Sequence, residues 1–123
     1  MIDKKQLTKA ETQVMNVLWS LPEGQGRSAE IMEGMPEPKP ALTTLLTFLK
    51  ILKEKGFVAA EKLGKGQLFK ALVSREDYTR TYMNEVKQTF FGGSYMSFIS
   101  NLVKEHDVSI DELKELIRMV EEE

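Results

Sequence analysis

The sequence lacks several features that whole classes of protein require. It contains no cysteine, which excludes disulfides, thiol nucleophiles and thiolate metal ligands. No apolar run approaches the roughly 18 residues of a membrane span. The opening MIDKKQLTKAE lacks the apolar core of a signal peptide. We therefore expect a cytoplasmic protein that does not insert into membranes.

Residues with catalytic chemistry are equally sparse. The only histidine is His106, in the loop-like segment KEHDVS, and no metal-ligand spacing surrounds it. The glycines of Gly64-Lys65-Gly66 form neither a phosphate-binding loop nor a dinucleotide fingerprint. Catalysis needs a nucleophile, a base or a metal held in a constellation. The sequence therefore predicts that the protein is not an enzyme and has no metal or cofactor.

What the sequence does hold is an uneven distribution of charge. Residues 1–73 contain 11 Lys and Arg against 8 Asp and Glu, whereas residues 74–123 contain 6 against 11. Residues 38–70 alone hold 7 lysines, opposed only by Glu54 and Glu61. A basic block beside an acidic tail indicates an anion-binding module joined to a part with another role. The alternative is that the lysines only keep the surface soluble.

Capping residues and breakers predict three helices in the first half. Thr8-x-x-Glu11 is a capping box that begins the first helix, and PEGQG after it is rich in breakers. Ser28 is a candidate N-cap for a short second helix. The prolines of MPEPKP predict a rigid turn, and a third helix follows from about residue 41 to residue 55.

After Gly56 the period changes from helical to alternating. FVAAEKL and QLFKALV predict two strands joined at Gly64-Lys65-Gly66. Because Leu68 and Phe69 are adjacent and both apolar, the sequence leaves open which side of the second strand faces the core. Two helices joined by a turn and followed by a β-hairpin describe a winged helix-turn-helix. We therefore predict a mainly α protein with a small β-hairpin, whose residues 1–73 form a winged-helix DNA-binding domain.

Residues 74–123 predict three further helices. Ser74-x-x-Asp77 opens one over about residues 75–91, Gly92-Gly93 ends it, and Ser109-x-x-Glu112 caps the last. About 50 residues bury little surface alone, so their apolar stripes pack back on the winged domain or form a homodimer interface. We favour a dimerisation domain that uses Phe90, Phe91, Tyr95, Phe98, Ile99, Leu102, Val103, Leu113, Leu116, Ile117 and Val120.

The third helix has one face suited to DNA. At about 100° per residue, Leu45, Phe48, Leu49 and Leu52 fall on one side, and Thr43, Thr47, Lys50 and Glu54 on the other. Small hydroxyl side chains let a helix approach base edges, and a leucine can contact a thymine methyl group. The alternatives to DNA contact are that the threonines only form a tolerated polar face, and that Lys65 is a solvated lysine in a turn. The candidate DNA contacts are Lys39, Thr43, Thr44, Leu46, Thr47, Lys50, Lys62 and Lys65.

Three stretches in order resemble the BlaI/MecI (penicillinase repressor) family of winged-helix repressors, with CopY-type repressors as relatives. They are LTKAETQVMNVLWSL, TTLLTFLKILKEKGFV and GGSYMSFISNLVKEHDVSIDELKELI. The resemblance implies a homodimeric transcriptional repressor on a palindromic operator. It also implies that residues 43–52 read DNA, with Thr44 and Thr47 matching the family's threonines. Leu46 stands where relatives often carry a polar or basic residue.

The resemblance also suggests how repression ends. In β-lactam-responsive members a membrane-bound sensor metalloprotease leads to cleavage of an Asn-Phe bond in the first dimerisation helix, which aligns with Asn101-Leu102 here. Copper-responsive members carry a C-terminal cysteine cluster that this chain lacks. The alternative function is a winged helix that binds protein without sequence-specific DNA binding. Salt-dependent binding to duplex DNA separates the two.

Overall fold

The computed structural model describes residues 6–122, so the opening MIDKK and Glu123 lie outside the described part. That part is mainly helical with one small antiparallel sheet, which confirms the predicted fold class of a winged helix followed by helices. The helices are α1 (Lys9–Ser20), α2 (Ser28–Gly34), α3 (Leu42–Glu54), α4 (Arg75–Phe91), α5 (Tyr95–Glu105) and α6 (Ile110–Glu121). The strands are β1 (Gln25–Arg27), β2 (Val58–Leu63) and β3 (Gly66–Ala71).

The chain divides into two compact units, the first ending at Arg80 and the second beginning at Thr81. The division falls inside α4, whereas the sequence placed a boundary before it, between residues 73 and 74. The separate roles assigned to the two parts, DNA binding and dimerisation, stay predictions.

The core of the first unit is formed by the apolar faces of its three helices and the inner face of the sheet. From α3 it takes Leu45, Leu49 and Leu52, each at most 1% exposed, as the helical spacing predicted. Phe48 is half-buried at the edge of this core. The remaining buried apolar residues are Val14, Met15, Leu18, Ile31, Met35, Phe57, Val58 and Phe69.

The caps of the first two helices show one prediction confirmed and one wrong. Thr8 Oγ1 accepts from the Glu11 amide at 3.2 Å and the Thr8 amide donates to Glu11 Oε1 at 3.0 Å, which is the expected capping box. Ser28 is not the N-cap of α2 but its first residue, because the helix begins one residue earlier than predicted. Arg27 holds that position with extended backbone, and its amide donates to Glu30 Oε1 at 2.7 Å.

The sheet has a strand that the sequence did not predict. The breakers of PEGQG indicate a loop, but Gln25–Arg27 pairs with β3, and the strand order is β1-β3-β2. A three-residue strand that contains glycine carries no readable alternation, and its partner lies far along the chain. Gly26 is closely packed: a Cβ there would lie 2.6 Å from Leu21 Cδ1, so the Leu21 side chain would have to move. The pairing buries Phe69 and turns Leu68 to the opposite face.

The beginning of α4 is fastened to the first unit. The Trp19 indole N–H donates to the Val73 carbonyl at 2.8 Å. The Leu7 amide donates to the Tyr78 hydroxyl at 3.1 Å, and the Tyr78 ring meets Phe57 edge-on with centroids 5.6 Å apart. These contacts fix the entry of the chain into the long helix.

The second unit consists of the rest of α4 with α5 and α6. Gly92 and Gly93 have φ of 58° and 82°, values that disfavour other residues, and they end α4 as predicted. Ser94 caps α5, and Ser109 with Glu112 forms the predicted capping box of α6. Within residues 6–122 no helix combines the length and apolarity needed to cross a membrane.

Candidate nucleic-acid interface

The outward face of α3 is open to solvent. Thr43, Thr44, Thr47 and Lys50 are all exposed, because the buried leucines of the same helix turn the opposite side toward the core. The structure therefore leaves accessible the face that the helical wheel selected. It presents short hydroxyl side chains near the start of the helix and a lysine one turn later.

The threonine hydroxyls keep hydrogen-bonding capacity on this face. Thr47 Oγ1 donates to the Thr43 carbonyl at 3.0 Å, one helical turn earlier. This bond uses the hydroxyl proton and fixes the side-chain rotamer, but the oxygen lone pairs can still accept. Thr47 can thus accept a hydrogen bond from an exocyclic amino group of adenine or cytosine.

One edge of the same face is apolar. Leu42 is 52% exposed and Leu46 is 40% exposed, and residues four apart are neighbours on a helix surface. On the wheel this pair lies between the core side and the Thr43 and Lys50 side. The face therefore has a leucine edge and a hydroxyl edge. On the leucine edge, the sequence predicted only Leu46 as a contact.

Lys39 has a role that the sequence did not predict. Its Nζ donates to the carbonyls of Met32 at 3.0 Å, Glu33 at 2.9 Å and Met35 at 2.8 Å. An ammonium group has three protons. The Lys39 ammonium therefore donates all three of them to carbonyls at the end of α2. Lys39 therefore secures the turn before α3, and its N–H donors are used within the chain in this conformation.

The hairpin of β2 and β3, called the wing below, carries exposed cations at its tip. Lys62 and Lys65 are exposed around Gly64, whose φ of 66° permits the tight turn. Lower on the wing, Lys70 Nζ lies 3.1 Å from Glu61 Oε2, so these two charges compensate each other. The charge at the tip itself is positive.

The sequence reasoning missed a third cation at the wing. Arg27 is exposed on β1 opposite Leu68, and its guanidinium reaches the glycine turn. A Cβ built on Gly66 would lie 3.1 Å from Arg27 Nη1, and a Cβ built on Gly64 would lie 3.8 Å from Arg27 Nη2. No sequence pattern signals this position, because only the pairing of β1 with β3 brings Arg27 to the turn.

The C-terminal end of α3 is anchored by a nearly buried ion pair. Lys55 Nζ lies 2.6 Å from Glu11 Oε1 and also donates to the Gln6 carbonyl at 3.1 Å. Burial of the Glu11 carboxyl raises its pKa, but hydrogen bonds from Lys55 and from the Thr8 amide, with the lysine charge, outweigh burial. The pKa of Glu11 therefore lies below its ordinary value. The pair holds α3 against α1.

Comparison with known proteins agrees with this geometry. The sequence model of the family described as "Penicillinase repressor" matches residues 7–122. The chain belongs to the penicillinase repressor family. It is therefore a DNA-binding transcriptional repressor with a winged-helix fold, as the resemblance implied.

The similarity to individual members of the penicillinase repressor family extends over nearly the whole chain. "Methicillin resistance regulatory protein MecI" of Staphylococcus aureus (strain N315) is 29% identical over 113 residues, which cover 90% of this chain and 89% of that protein. The "Penicillinase repressor" of Bacillus licheniformis is 25% identical over 122 residues, covering 95% and 91%.

The second unit of the repressor exposes much apolar surface. On α6, Leu116, Ile117 and Val120 are 55%, 56% and 64% exposed. Of the other predicted dimerisation residues, Phe90, Tyr95, Ile99 and Leu102 are exposed and Phe91, Phe98, Val103 and Leu113 are half-buried.

Two of the predicted dimerisation residues, Phe91 at the end of α4 and Phe98 in α5, contact each other within the chain. The Phe91 and Phe98 rings lie 5.3 Å apart and hold the end of α4 against α5. Asn101 and Leu102, the candidate cleavage bond, are exposed within α5.

Proposed function

We propose that this repressor binds a palindromic operator as a homodimer, with α3 of each protomer in the major groove. Residues 1–73 bind DNA and residues 74–123 dimerise. The observation that carries the proposal is the exposed face of α3, where Thr43, Thr47 and Lys50 are open to solvent. A major groove admits an α-helix whose side chains are short enough to approach base edges.

The proposed contacts divide by chemistry. Thr43, Thr44 and Thr47 contact bases or phosphates, and Leu46 contacts a thymine methyl group. The lysines, which are Lys50, Lys62 and Lys65, neutralise phosphates and release counterions. A palindrome presents the same half-site twice, which suits a protein with twofold symmetry.

The exposed apolar surface of the second unit supports the homodimer. Monomeric proteins seldom leave a contiguous apolar patch of large area exposed. Leu116, Ile117 and Val120 lie on one stripe of α6, with Leu113 half-buried among them. In a twofold interface the stripe meets its own copy, because the same surface serves both partners.

We also propose that a membrane-bound sensor metalloprotease ends repression by leading to cleavage of the Asn101-Leu102 bond. Both residues are exposed, which supports access by a protease. The bond lies within α5, so a cut would divide that helix and remove the C-terminal dimerisation residues from the rest of the chain.

A binding experiment with a salt series tests the proposed function. Wild-type protein is titrated against duplex DNA from its own upstream region and against a scrambled duplex at several salt concentrations. We expect tighter binding to the upstream duplex and a steep, linear fall of log affinity with log salt, because lysine–phosphate contacts release counterions. Absence of binding at low salt would refute DNA recognition and favour the protein-binding alternative.

The variant Thr47→Glu tests the placement of α3. It puts a negative charge against the duplex, and a like-charge juxtaposition costs several kcal/mol. We expect a loss of affinity of about a hundred-fold or more with an unchanged circular dichroism spectrum, since a factor of ten is about 1.4 kcal/mol. Thr79→Glu, at an exposed position of α4, is the matched control and should bind normally. A folded Thr47→Glu variant that binds like the wild type would contradict the placement.

A further inference from the structure

The tip of the wing has cations on both of its faces. Residues that alternate along a strand point to opposite sides of a sheet. Gly66 and Leu68 share the face of Arg27, since Arg27 pairs with Leu68, while Lys62 pairs with Gln67 on the other face. The guanidinium of Arg27 therefore lies along the outer face of the wing, and Lys62 projects from the inner one.

The position of Arg27 is fixed by two separate elements. Its backbone is held in β1 by pairing with β3, and its amide donates to Glu30 Oε1 at 2.7 Å as the N-cap of α2. The side chain then runs past Gly66, where a Cβ would lie only 3.1 Å from Nη1. A Cβ at position 66 would be a tight contact, and the guanidinium would have to move by a few tenths of an ångström to accommodate it.

The charge of Arg27 is not compensated within the described part of the chain. Among residues 6–122, no ion pair involves its guanidinium, and the carboxylate on the same face, Glu61, is paired with Lys70. The nearby Glu30 carboxylate accepts a hydrogen bond from the backbone amide of Arg27. A guanidinium presents a planar fork of donors that fits two oxygens of a phosphate group.

We propose that Arg27 binds a backbone phosphate of the operator on the outer side of the wing. It acts together with Lys62 and Lys65, so that phosphates are held on both sides of the wing tip. This inference rests on the proposed DNA binding and adds a contact outside α3. Because a phosphate contact carries no base information, Arg27 supplies affinity and register and does not read sequence.

The test compares Arg27→Ala, Arg27→Lys and wild-type protein on upstream and scrambled duplexes over a salt series. For Arg27→Ala we expect a loss of roughly ten-fold on both duplexes, the order of one hydrogen bond to a charged group. The negative slope of log affinity against log salt should become shallower by about 0.9, since one phosphate contact is removed. Arg27→Lys should keep the slope and lose part of the affinity, because lysine cannot bind in the two-pronged manner.

Arg75→Ala is the matched control, because it removes the same charge near the other end of the hairpin, where Arg75 Cζ lies 5.6 Å from the Trp19 ring centroid. It should leave the slope unchanged. Gly66→Ala is a second variant that retains every charge. Because it removes no phosphate contact, it should keep the wild-type slope, while thermal unfolding shows that the domain remains folded.

The outcomes separate this proposal from the wider one. An unchanged slope for Arg27→Ala, with wild-type protein binding normally, would overturn the phosphate contact and leave DNA binding intact. A loss confined to one duplex would also overturn it, because Arg27 would then read bases. Failure of the wild-type protein to bind either duplex would overturn the proposed function and this inference with it.

Discussion

Lys55 and Glu11 join the end of α3 to the start of α1 through a contact of 2.6 Å between Nζ and Oε1. Glu11 is 4% exposed, and the same carboxylate completes the capping box of α1 by accepting from the Thr8 amide. One side chain therefore fixes both the beginning of a helix and the packing of the helix that we propose reads DNA.

The variant Glu11→Gln should destabilise the first unit by about 1–3 kcal/mol at neutral pH, because it leaves the Lys55 ammonium without its anionic partner. The pKa of the wild-type carboxyl lies below its ordinary value when folded, so the unfolded chain binds the proton more readily. The stabilisation is complete above the ordinary pKa of about 4.3 and is lost as the pH falls through the lower pKa of the folded state.

Urea unfolding between neutral and acidic pH checks this prediction. Wild-type protein should lose more stability than Glu11→Gln on acidification below about pH 5, since only the wild type has this carboxylate to protonate. Glu33→Gln, at an exposed position of α2, serves as the control. Parallel curves for wild type and Glu11→Gln would show that the pair does not contribute.

The variant Lys39→Met should affect stability without changing the salt dependence of DNA binding. It removes three hydrogen bonds to the carbonyls that end α2. We expect a destabilisation of about 1–3 kcal/mol, because those carbonyls lose a charged donor. The slope of log affinity against log salt should stay at the wild-type value, whereas Lys65→Met should make the negative slope shallower by about 0.9. A shallower slope for Lys39→Met would show that Lys39 contacts phosphate.

Uracil in place of thymine tests the leucine edge of α3. Uracil lacks the C5 methyl group but keeps the same hydrogen-bonding groups. If Leu42 and Leu46 contact thymine methyls, uracil at the contacted positions should weaken wild-type binding by roughly two- to ten-fold, the order of one buried CH₂ group. Leu46→Ala should bind more weakly and respond less to uracil. Equal affinity of wild-type protein for the two duplexes would exclude methyl recognition.

The variant Ile117→Asp should convert the dimer to a monomer. Ile117 is 56% exposed within one chain, so the substitution disturbs little inside the protomer but places an unpaired charge in the proposed interface. Lys114→Asp, also exposed on α6, introduces the same side chain outside the apolar stripe and should remain dimeric. Sedimentation equilibrium distinguishes the two. A dimeric Ile117→Asp variant would exclude the α6 stripe from the interface.

Phe98→Asp is a weaker test of dimerisation than Ile117→Asp. The Phe98 ring packs on Phe91 in the same chain, with centroids 5.3 Å apart. Its replacement would therefore loosen the junction of α4 and α5 as well as any contact with a second copy. The exposed α6 positions separate these effects, which sequence periodicity alone did not distinguish.

The elements with local signals were predictable from the sequence. Capping boxes fixed the starts of α1 and α6, glycines ended α3 and α4, and helical spacing identified Leu45, Leu49 and Leu52 as core. The same wheel selected the exposed face of α3. These features depend on residues within a few positions of one another, so the chain shows them directly.

Tertiary structure decided the features that join distant segments. Pairing of β1 with β3 made Arg27 part of the wing, and folding of the turn after α2 placed the Lys39 ammonium on three carbonyls. Neither has a sequence pattern, because a contact between residues far apart depends on how the intervening chain folds. By itself the sequence determined the winged-helix class and the face of α3. Only packing decided which cations remain free to bind a phosphate and which are used to hold the fold.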